Sequence, residues 1–271
     1  MKRFIVPIFL LAAVLPSCSP HPYKATNKLY KKQAKELTQS LTDIPPVEAF
    51  SSKVPPYAVG TVNFNLRKPN YVIIHHTAQN SCEQTLKTFT LKRTQVSAHY
   101  VICKDGTVHH MLNDYLRAWH GGVAKWGSLT DINSASIGIE LDNNGNEPFP
   151  DQQINSLITL LGALKKNYGI PAANFIGHAD IAPRRKPDPN AFFPWRKLAE
   201  KGFGYWPDMI VETVPPGFNT IQALRIIGYD TRDSISAIKA FKLHFIQNDL
   251  RPVMTESDKG VLNDLLKKYL K

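Results

Sequence analysis

Short apolar stretches alternate with helical patterns between residues 61 and 208, and this alternation limits the possible folds more than any other feature. Residues 71–74 and Ser136–Leu141 are apolar, rich in β-branched residues and short, as buried strands are. In Asp151–Tyr168 the apolar residues recur three and four positions apart, and Gly169 follows, which is typical of an amphipathic helix and its end. We therefore expect an α/β (α+β) domain with a mixed central β-sheet flanked by helices.

Further elements fit the same domain. Residues 98–102 and 108–111 flank a Lys-Asp-Gly turn and predict a β-hairpin. Residues 81–92 predict a helix, and Phe175–Gly177 predicts another short strand.

The character of the sequence changes after residue 208. A Pro-Pro-Gly break at residues 215–217 is typical of a linker. Three helical patterns follow it, at residues 220–227, 234–245 and 257–270. We expect residues 209–271 to form a small, separate three-helix bundle.

The N-terminus has the features of an export signal. Two basic residues precede the apolar run 4–15, which is shorter than the roughly 20 residues that span a bilayer. Small residues and Cys18 follow, so we interpret residues 1–17 as a signal peptide of the lipoprotein type and Cys18 as the lipidated residue. The alternative is an ordinary signal peptide cleaved near Ser17, with an incidental cysteine.

Residues 18–60 are polar and contain many lysines and prolines, which indicates a tether with a short helix near residues 28–41. The whole chain has a formal net charge of +11, and this favours anionic partners. We do not expect nucleic acid among them, because the chain has an export signal and no groove of interleaved basic and aromatic residues.

Two cysteines remain beside Cys18. An exported protein permits a disulfide between Cys82 and Cys103. They can equally be two buried free thiols, and this is the interpretation that we prefer.

Two histidines and an aspartate occupy positions suited to a metal site. His75 and His178 each follow a predicted strand and can project from the rim of the sheet. The loop after His178 is rich in proline and arginine, so it can curl back and bring Asp188 beside that histidine. Two imidazoles and one carboxylate leave a fourth tetrahedral position for water, as in catalytic zinc sites. By spacing alone, Asp180 competes with Asp188 for the third position.

Glu140 and Lys186 are candidates for the chemistry beside such a metal. Glu140 lies within an apolar strand, where a carboxylate is costly unless it is partnered or functional. It can act as a general base on a metal-activated water, or it can be an edge residue that faces solvent. Lys186 can stabilise an oxyanion, or it can be one more basic surface residue.

Five blocks of sequence resemble a known family. They are, in order, IIHHTA at 73–78, VSAHYVI at 96–102, AWHGG at 118–122, SIGIEL at 136–141 and GHADIAPRRKPDP at 177–189. Together they resemble the type 2 N-acetylmuramoyl-L-alanine amidases, whose fold is shared with peptidoglycan recognition proteins and the lysozyme of phage T7.

The resemblance implies roles for individual residues. It implies Zn²⁺ bound by His75, His178 and Asp188, and it assigns Asp180 to structure. It also implies that Glu140 activates the water and that Lys186 polarises the substrate carbonyl. Substrate contacts are implied for a further group, Trp119, His120, Arg185 and His76.

The implied reaction is hydrolysis of the amide between N-acetylmuramic acid and L-alanine in peptidoglycan or muropeptides, for cell-wall turnover or recycling. Some members are lipoproteins of the outer membrane with a C-terminal helical module. That layout implies a monomer anchored by lipid and facing the periplasm, with residues 209–271 as a peptidoglycan-binding-like module or a bundle that merely packs on residues 61–208. A non-catalytic peptidoglycan receptor of the same fold is the alternative, and the full set of ligand residues argues against it.

Overall fold

The computed structural model describes residues 22–41, 61, 63, 65–208 and 213–271. The predicted signal peptide and Cys18 lie outside these residues. The described chain belongs to two compact units, Met1–Phe64 and Asn65–Lys271. The elements are, in chain order, α1 (Lys24–Ser40), β1 (Tyr71–His76), α2 (Cys82–Thr90), β2 (Tyr100–Ile102), β3 (Val108–His110), α3 (Ile132–Ala135), β4 (Ser136–Leu141), α4 (Asp151–Tyr168), β5 (Phe175–Gly177), α5 (His178–Ile181), α6 (Trp195–Ala199), α7 (Thr220–Ile227), α8 (Ser234–Phe245) and α9 (Glu256–Tyr269).

Helix α1 is the described helix of the first unit, and it begins four residues earlier than the sequence predicts. None of its residues is buried. Within the described parts of the chain, no helix combines the length and the apolar character needed to cross a membrane.

A five-stranded mixed sheet forms the centre of the second unit, with the strand order β3-β2-β4-β1-β5. Strand β1 pairs in parallel with β4 and β5, and β2 pairs in parallel with β4. Strand β3 pairs antiparallel with β2 and forms the predicted hairpin at the edge. The prediction of a mixed central sheet flanked by helices is confirmed.

Strand β1 is buried on both faces, and its alternate residues enter two different cores. Val72 and Ile74 belong to a core that includes the apolar face of α4. Ile73 belongs to a second core with Leu224, Phe241 and Leu262 of the C-terminal helices. Because successive side chains of a strand point to opposite faces, α4 and the C-terminal bundle cover the two sides of the sheet.

The C-terminal helices begin where the sequence predicts within one residue. Asn219 and Asp233 cap α7 and α8 with their side chains, and Thr255 caps α9 in a capping box with Asp258. The bundle is not packed separately, because it shares the second core with the sheet and lies in the same compact unit. The Pro-Pro-Gly break marks a change of composition and not an end of the core. A wall-binding module at residues 209–271 therefore remains a prediction.

Cys82 and Cys103 form a disulfide, with their Cα atoms 5.3 Å apart, so the preference for free thiols is wrong. The reason is that α2 packs against β2 and brings the first residue of the helix beside the end of the strand. Closing a loop of this length restricts the unfolded chain and stabilises the fold by about 3 kcal/mol. The bond also removes both thiols as metal ligands, although His109 lies near them.

The shared core predicts that the sheet and the bundle unfold together. Phe241 on α8 is fully buried in that core, so Phe241→Ala should lower the free energy of unfolding by about 3–5 kcal/mol. Urea denaturation followed by tryptophan fluorescence and by far-ultraviolet circular dichroism should give one coincident transition. Ile235→Ala on the same helix, where the side chain is 57% exposed, is the control and should change stability by less than about 0.5 kcal/mol. Two separate transitions would contradict the shared core.

Candidate active site

The candidate metal ligands meet at the carboxyl ends of β1 and β5. His75 is the fifth residue of β1, and His178 directly follows β5. Since these neighbouring strands are parallel, both side chains reach the same edge of the sheet. The loop after α5 turns back so that the Ala179 amide donates to the Asp188 carbonyl at 2.7 Å, which brings the aspartate beside the two histidines.

Three ligand atoms converge at this edge. His75 Nδ1 lies 2.8 Å from His178 Nδ1, and Asp188 Oδ2 lies 3.2 Å and 3.0 Å from these two nitrogens. All three residues are buried. The outer nitrogens have partners too, because His178 Nε2 is 3.2 Å from the Gly121 carbonyl and His75 Nε2 is 3.1 Å from His120 Nδ1.

Electrostatics make this cluster a set of electron-pair donors. Burial, reinforced by His178, lowers the pKa of His75 to about 4. Burial alone would raise the pKa of Asp188, but the imidazole rings of His178 and His75, which lie within hydrogen-bonding distance of it, outweigh that effect and hold the pKa well below its usual range. A neutral imidazole and a carboxylate therefore face each other at neutral pH. The Gly121 carbonyl can only accept, so His178 donates to it from Nε2, and in that tautomer its Nδ1 turns a lone pair inward.

Such converging lone pairs repel one another unless a cation lies between them. Two imidazole nitrogens and a carboxylate oxygen are ligands that Zn²⁺ binds in proteins. The residues present thus fit a divalent metal ion, and they form the candidate metal site.

Asp180, the competing third ligand, points away from this site. Its carboxylate accepts hydrogen bonds of 2.7 Å from the Gly177 amide and the Tyr229 hydroxyl, and it lies 2.7 Å from Nδ1 of His244. Tyr229 and His244 belong to the C-terminal bundle region. The structure therefore brings Asp188 to the histidines and directs Asp180 into the contact between the two halves of the unit.

Glu140 lies beside the metal site on the neighbouring strand. Its Cα pairs with that of His75, and the two residues face the same side of the sheet. Glu140 keeps some exposure to a cleft, but its Oε2 is buried and has no hydrogen-bond partner among the described residues. Burial raises the pKa of Glu140 to about 8, Asp188 adds to the rise, and Lys186 opposes it. A bound cation would favour the ionised carboxylate.

These observations agree with comparisons to known proteins. A family model described as N-acetylmuramoyl-L-alanine amidase matches residues 65–191. The amidase AmiD from Escherichia coli is 31% identical over an alignment of 230 residues, and the match covers 73% of this chain and 82% of AmiD. The chain belongs to the N-acetylmuramoyl-L-alanine amidase family. The amidase AmpD from Haemophilus influenzae, which acts on 1,6-anhydro-N-acetylmuramyl-L-alanine according to its name, is 38% identical over 104 residues, or 38% of this chain and 56% of AmpD.

Two solved structures match over most of the chain. AmiD from Escherichia coli, in complex with anhydro-N-acetylmuramic acid-L-Ala-D-γ-Glu-L-Lys, superposes with a TM-score of 0.68 at 30% identity. The match covers 78% of this chain and 93% of that one. AmpDh3 from Pseudomonas aeruginosa, in complex with an anhydromuramic pentapeptide, gives a TM-score of 0.69 at 25% identity and covers 81% of this chain and 99% of that one.

The amidase cleft has a volume of about 170 Å³ and runs over the metal site. Lys186 lines it, as do three of the four residues for which the sequence predicts substrate contact, Trp119, His76 and His120. Trp119 is 52% exposed at the rim. The ring of His76 is fixed by the Asn190 amide, which donates to its Nδ1 at 3.2 Å.

Arg185 and His120, two of the predicted substrate contacts, have protein hydrogen-bond partners. Arg185 does not line the cleft, because its guanidinium donates to the carbonyls of Gly121 and Val123 at 2.7–3.0 Å and so supports the loop beside His178. His120 reaches the cleft wall but is 92% buried behind His75, and both of its ring nitrogens have protein partners. Their position in the matching blocks does not reveal the direction of their side chains.

The sequence analysis missed several residues of the cleft. It is also lined by residues from α2 and from the loops on either side of that helix, namely Gln79, Thr88, Phe89, Val96 and Ser97. Asn133 is also new, since its Oδ1 accepts from the amides of His120 and Gly121. Val96 and Ser97 begin the second matching block, VSAHYVI at 96–102, and their place in that block is the sequence feature that could have identified them.

The raised pKa of Glu140 predicts that stability of the metal-free protein depends on pH. The ordinary pKa is 4.5 and the native value is about 8. Between them the native state keeps a proton that the unfolded chain has released, so the free energy of unfolding falls as pH rises through this window. Glu140→Gln should therefore lose less stability than the unaltered protein between about pH 5 and pH 9, in urea titrations with a chelator present. Glu200→Gln, at an exposed site, is the control, and an unaltered pH slope in Glu140→Gln would contradict the shift.

Proposed function

We propose that the protein is a zinc-dependent N-acetylmuramoyl-L-alanine amidase, which hydrolyses the amide bond between N-acetylmuramic acid and L-alanine in peptidoglycan or muropeptides. The single observation that supports this most is the convergence of His75, His178 and Asp188 beside the buried carboxylate of Glu140. The matched structures of AmiD and AmpDh3, both in complex with anhydromuramoyl peptides, support the substrate class.

The metal ligands leave one side of the site open to the cleft, as a catalytic zinc site requires. A zinc ion bound there supplies a Lewis acid that acidifies water and polarises a carbonyl group. The buried surroundings keep the ligand side chains in place and exclude bulk water from them.

Glu140 takes the proton from the attacking water and returns it to the amine of L-alanine as the amide breaks. Its Oε2 has no hydrogen-bond partner within the described segments and is available for this transfer. Lys186 lines the same cleft, and its ammonium group stabilises the negative charge that develops on the carbonyl oxygen. Trp119 and His76 flank the cleft and contact the substrate.

We also propose that the protein acts in the cell envelope, as a monomer anchored by lipid on Cys18 to the periplasmic face of the outer membrane. The basic and apolar N-terminus supports this location, and the polar segment 18–60 provides the tether. The reaction there serves the turnover or recycling of the cell wall. A wall-binding role for residues 209–271 belongs to the same proposal.

Activity should depend on the metal and on Glu140. Incubation with muropeptides and mass analysis should reveal free peptide, and a chelator should abolish it until zinc is restored. Glu140→Ala should lower kcat by about 100- to 10,000-fold, because the general base is lost, while bound zinc is unchanged. Glu200→Ala, at an exposed position, is the control. Substrate that binds to the zinc-loaded protein and stays uncut would instead indicate a peptidoglycan receptor.

Lipidation should depend on Cys18. In cells given a labelled fatty acid, the unaltered chain should incorporate label and sediment with membranes, because acyl chains provide the anchor. Cys18→Ala should lose the label and move to the soluble fraction. Ser17→Ala, which keeps a small residue at the cleavage site, is the control. A labelled Cys18→Ala chain would exclude this anchor.

A further inference from the structure

We propose that His120 is a positioning residue that holds the proton of His75 on Nε2 and so keeps Nδ1 free to bind metal. This inference rests on the proposed metal site. It replaces the substrate contact that the sequence resemblance implied for His120.

The direction of the hydrogen bonds is fixed at a backbone carbonyl. The Ser136 hydroxyl lies 2.6 Å from the Ile132 carbonyl, which can only accept, so the hydroxyl proton points there. Ser136 Oγ therefore accepts from His120 Nε2, 3.2 Å away. If the hydroxyl proton pointed to His120 instead, the Ser136 and Ile132 oxygens would lie 2.6 Å apart with no proton between them. That contact would be repulsive, which excludes this orientation of the hydroxyl.

The same direction continues into the metal site. Among the described residues, the His120 ring has hydrogen bonds only to His75 and Ser136 and therefore no anionic partner, and a buried unpaired charge is costly. The ring is thus neutral, with its proton on Nε2 and a lone pair on Nδ1. That lone pair lies 3.1 Å from His75 Nε2, so His75 donates to it and turns a bare Nδ1 toward Asp188.

His120 opposes a competing arrangement. Asp188 Oδ2 lies only 3.2 Å from His75 Nδ1 and attracts the proton of His75 to that nitrogen. A proton there would block the ligand atom. The acceptor on His120 stabilises the other tautomer, as partners of metal-binding histidines commonly do.

Packing and backbone hydrogen bonds hold the His120 ring in place. Gly138 lies directly beneath it on β4, and a Cβ at that position would overlap the ring. The backbone amides of His120 and Gly121 both donate to Asn133 Oδ1, at 3.2 Å and 2.8 Å. One short segment thereby orients both metal-binding histidines, His75 through the His120 ring and His178 through the Gly121 carbonyl.

Substitutions at residue 120 test the proposal. His120→Phe keeps the ring and removes the acceptor, so zinc affinity measured by chelator competition should fall about 10- to 100-fold. His120→Asn places an oxygen near the position of Nδ1 and should recover part of that loss. Gly138→Ala should displace the ring and weaken zinc binding as His120→Phe does. His110→Phe, at an exposed histidine outside the cleft, is the matched control and should bind zinc normally.

NMR of the ¹⁵N-labelled protein shows directly which nitrogen carries the proton between His75 and His120. A coupling across the hydrogen bond should join His75 Nε2 to His120 Nδ1, with the proton covalently bound to His75. A proton on His120 Nδ1 would overturn the proposal. So would normal zinc affinity in a folded His120→Phe variant with only KM raised, because that pattern indicates substrate contact.

The outcomes separate this inference from the proposed function. If the unaltered protein binds no zinc, the proposed function fails. The same coupling, measured without metal, still shows whether His75 donates its hydrogen bond to His120. If His120→Phe does not fold, Ser136→Ala takes its place. Loss of that hydroxyl removes the acceptor that holds the His120 proton on Nε2, so this proton should distribute over both nitrogens of the His120 ring. A proton still fixed on His75 Nε2 would contradict the role of Ser136.

Discussion

Burial of strand β1 on both faces is the constraint on which the rest of the second unit depends. Its apolar residues alternate between two cores, and each core needs a layer of helices to close it. Helix α4 provides one layer and the C-terminal bundle provides the other. The same strand carries His75 near its carboxyl end, so a strand buried on both faces also determines where the candidate metal site lies. Hydrophobic burial of β1 therefore also holds His75, a candidate metal ligand, in its position.

The active site brings together groups that would separate if they were free to move. Three electron-pair donors face one another, and a carboxylate lies beside them with a buried oxygen that has no hydrogen-bond partner in the described part of the chain. Neighbouring parallel strands, the returning loop to Asp188 and the segment at residues 120–121 hold them in place. This arrangement is costly in the absence of a cation, and a metal ion bound at the candidate site would relieve that cost. The affinity for metal thus depends on how firmly the surrounding structure resists relaxation.

Periodicity and motif order predicted most of the framework because they are local properties. Helix α4 and the hairpin are visible as repeating apolar positions and a turn. The disulfide was not predictable, since it depends on how α2 packs on β2. Spacing also left Asp180 and Asp188 equivalent, and only the path of the loop distinguishes them. His120 and Arg185 lie in recognisable blocks, but a block does not reveal which way a side chain points.

The network around Asp180 has a consequence for how this family can change by recombination. Its buried carboxylate lies two residues after His178 and obtains two of its partners, Tyr229 and His244, from the C-terminal region. A chimera joined near residue 208 to a foreign C-terminal segment would inherit a desolvated charge without these partners. Such exchanges succeed only if the incoming segment provides equivalent donors or if the aspartate is replaced at the same time. Inheritance of the catalytic half and the bundle is therefore coupled through a residue that performs no chemistry.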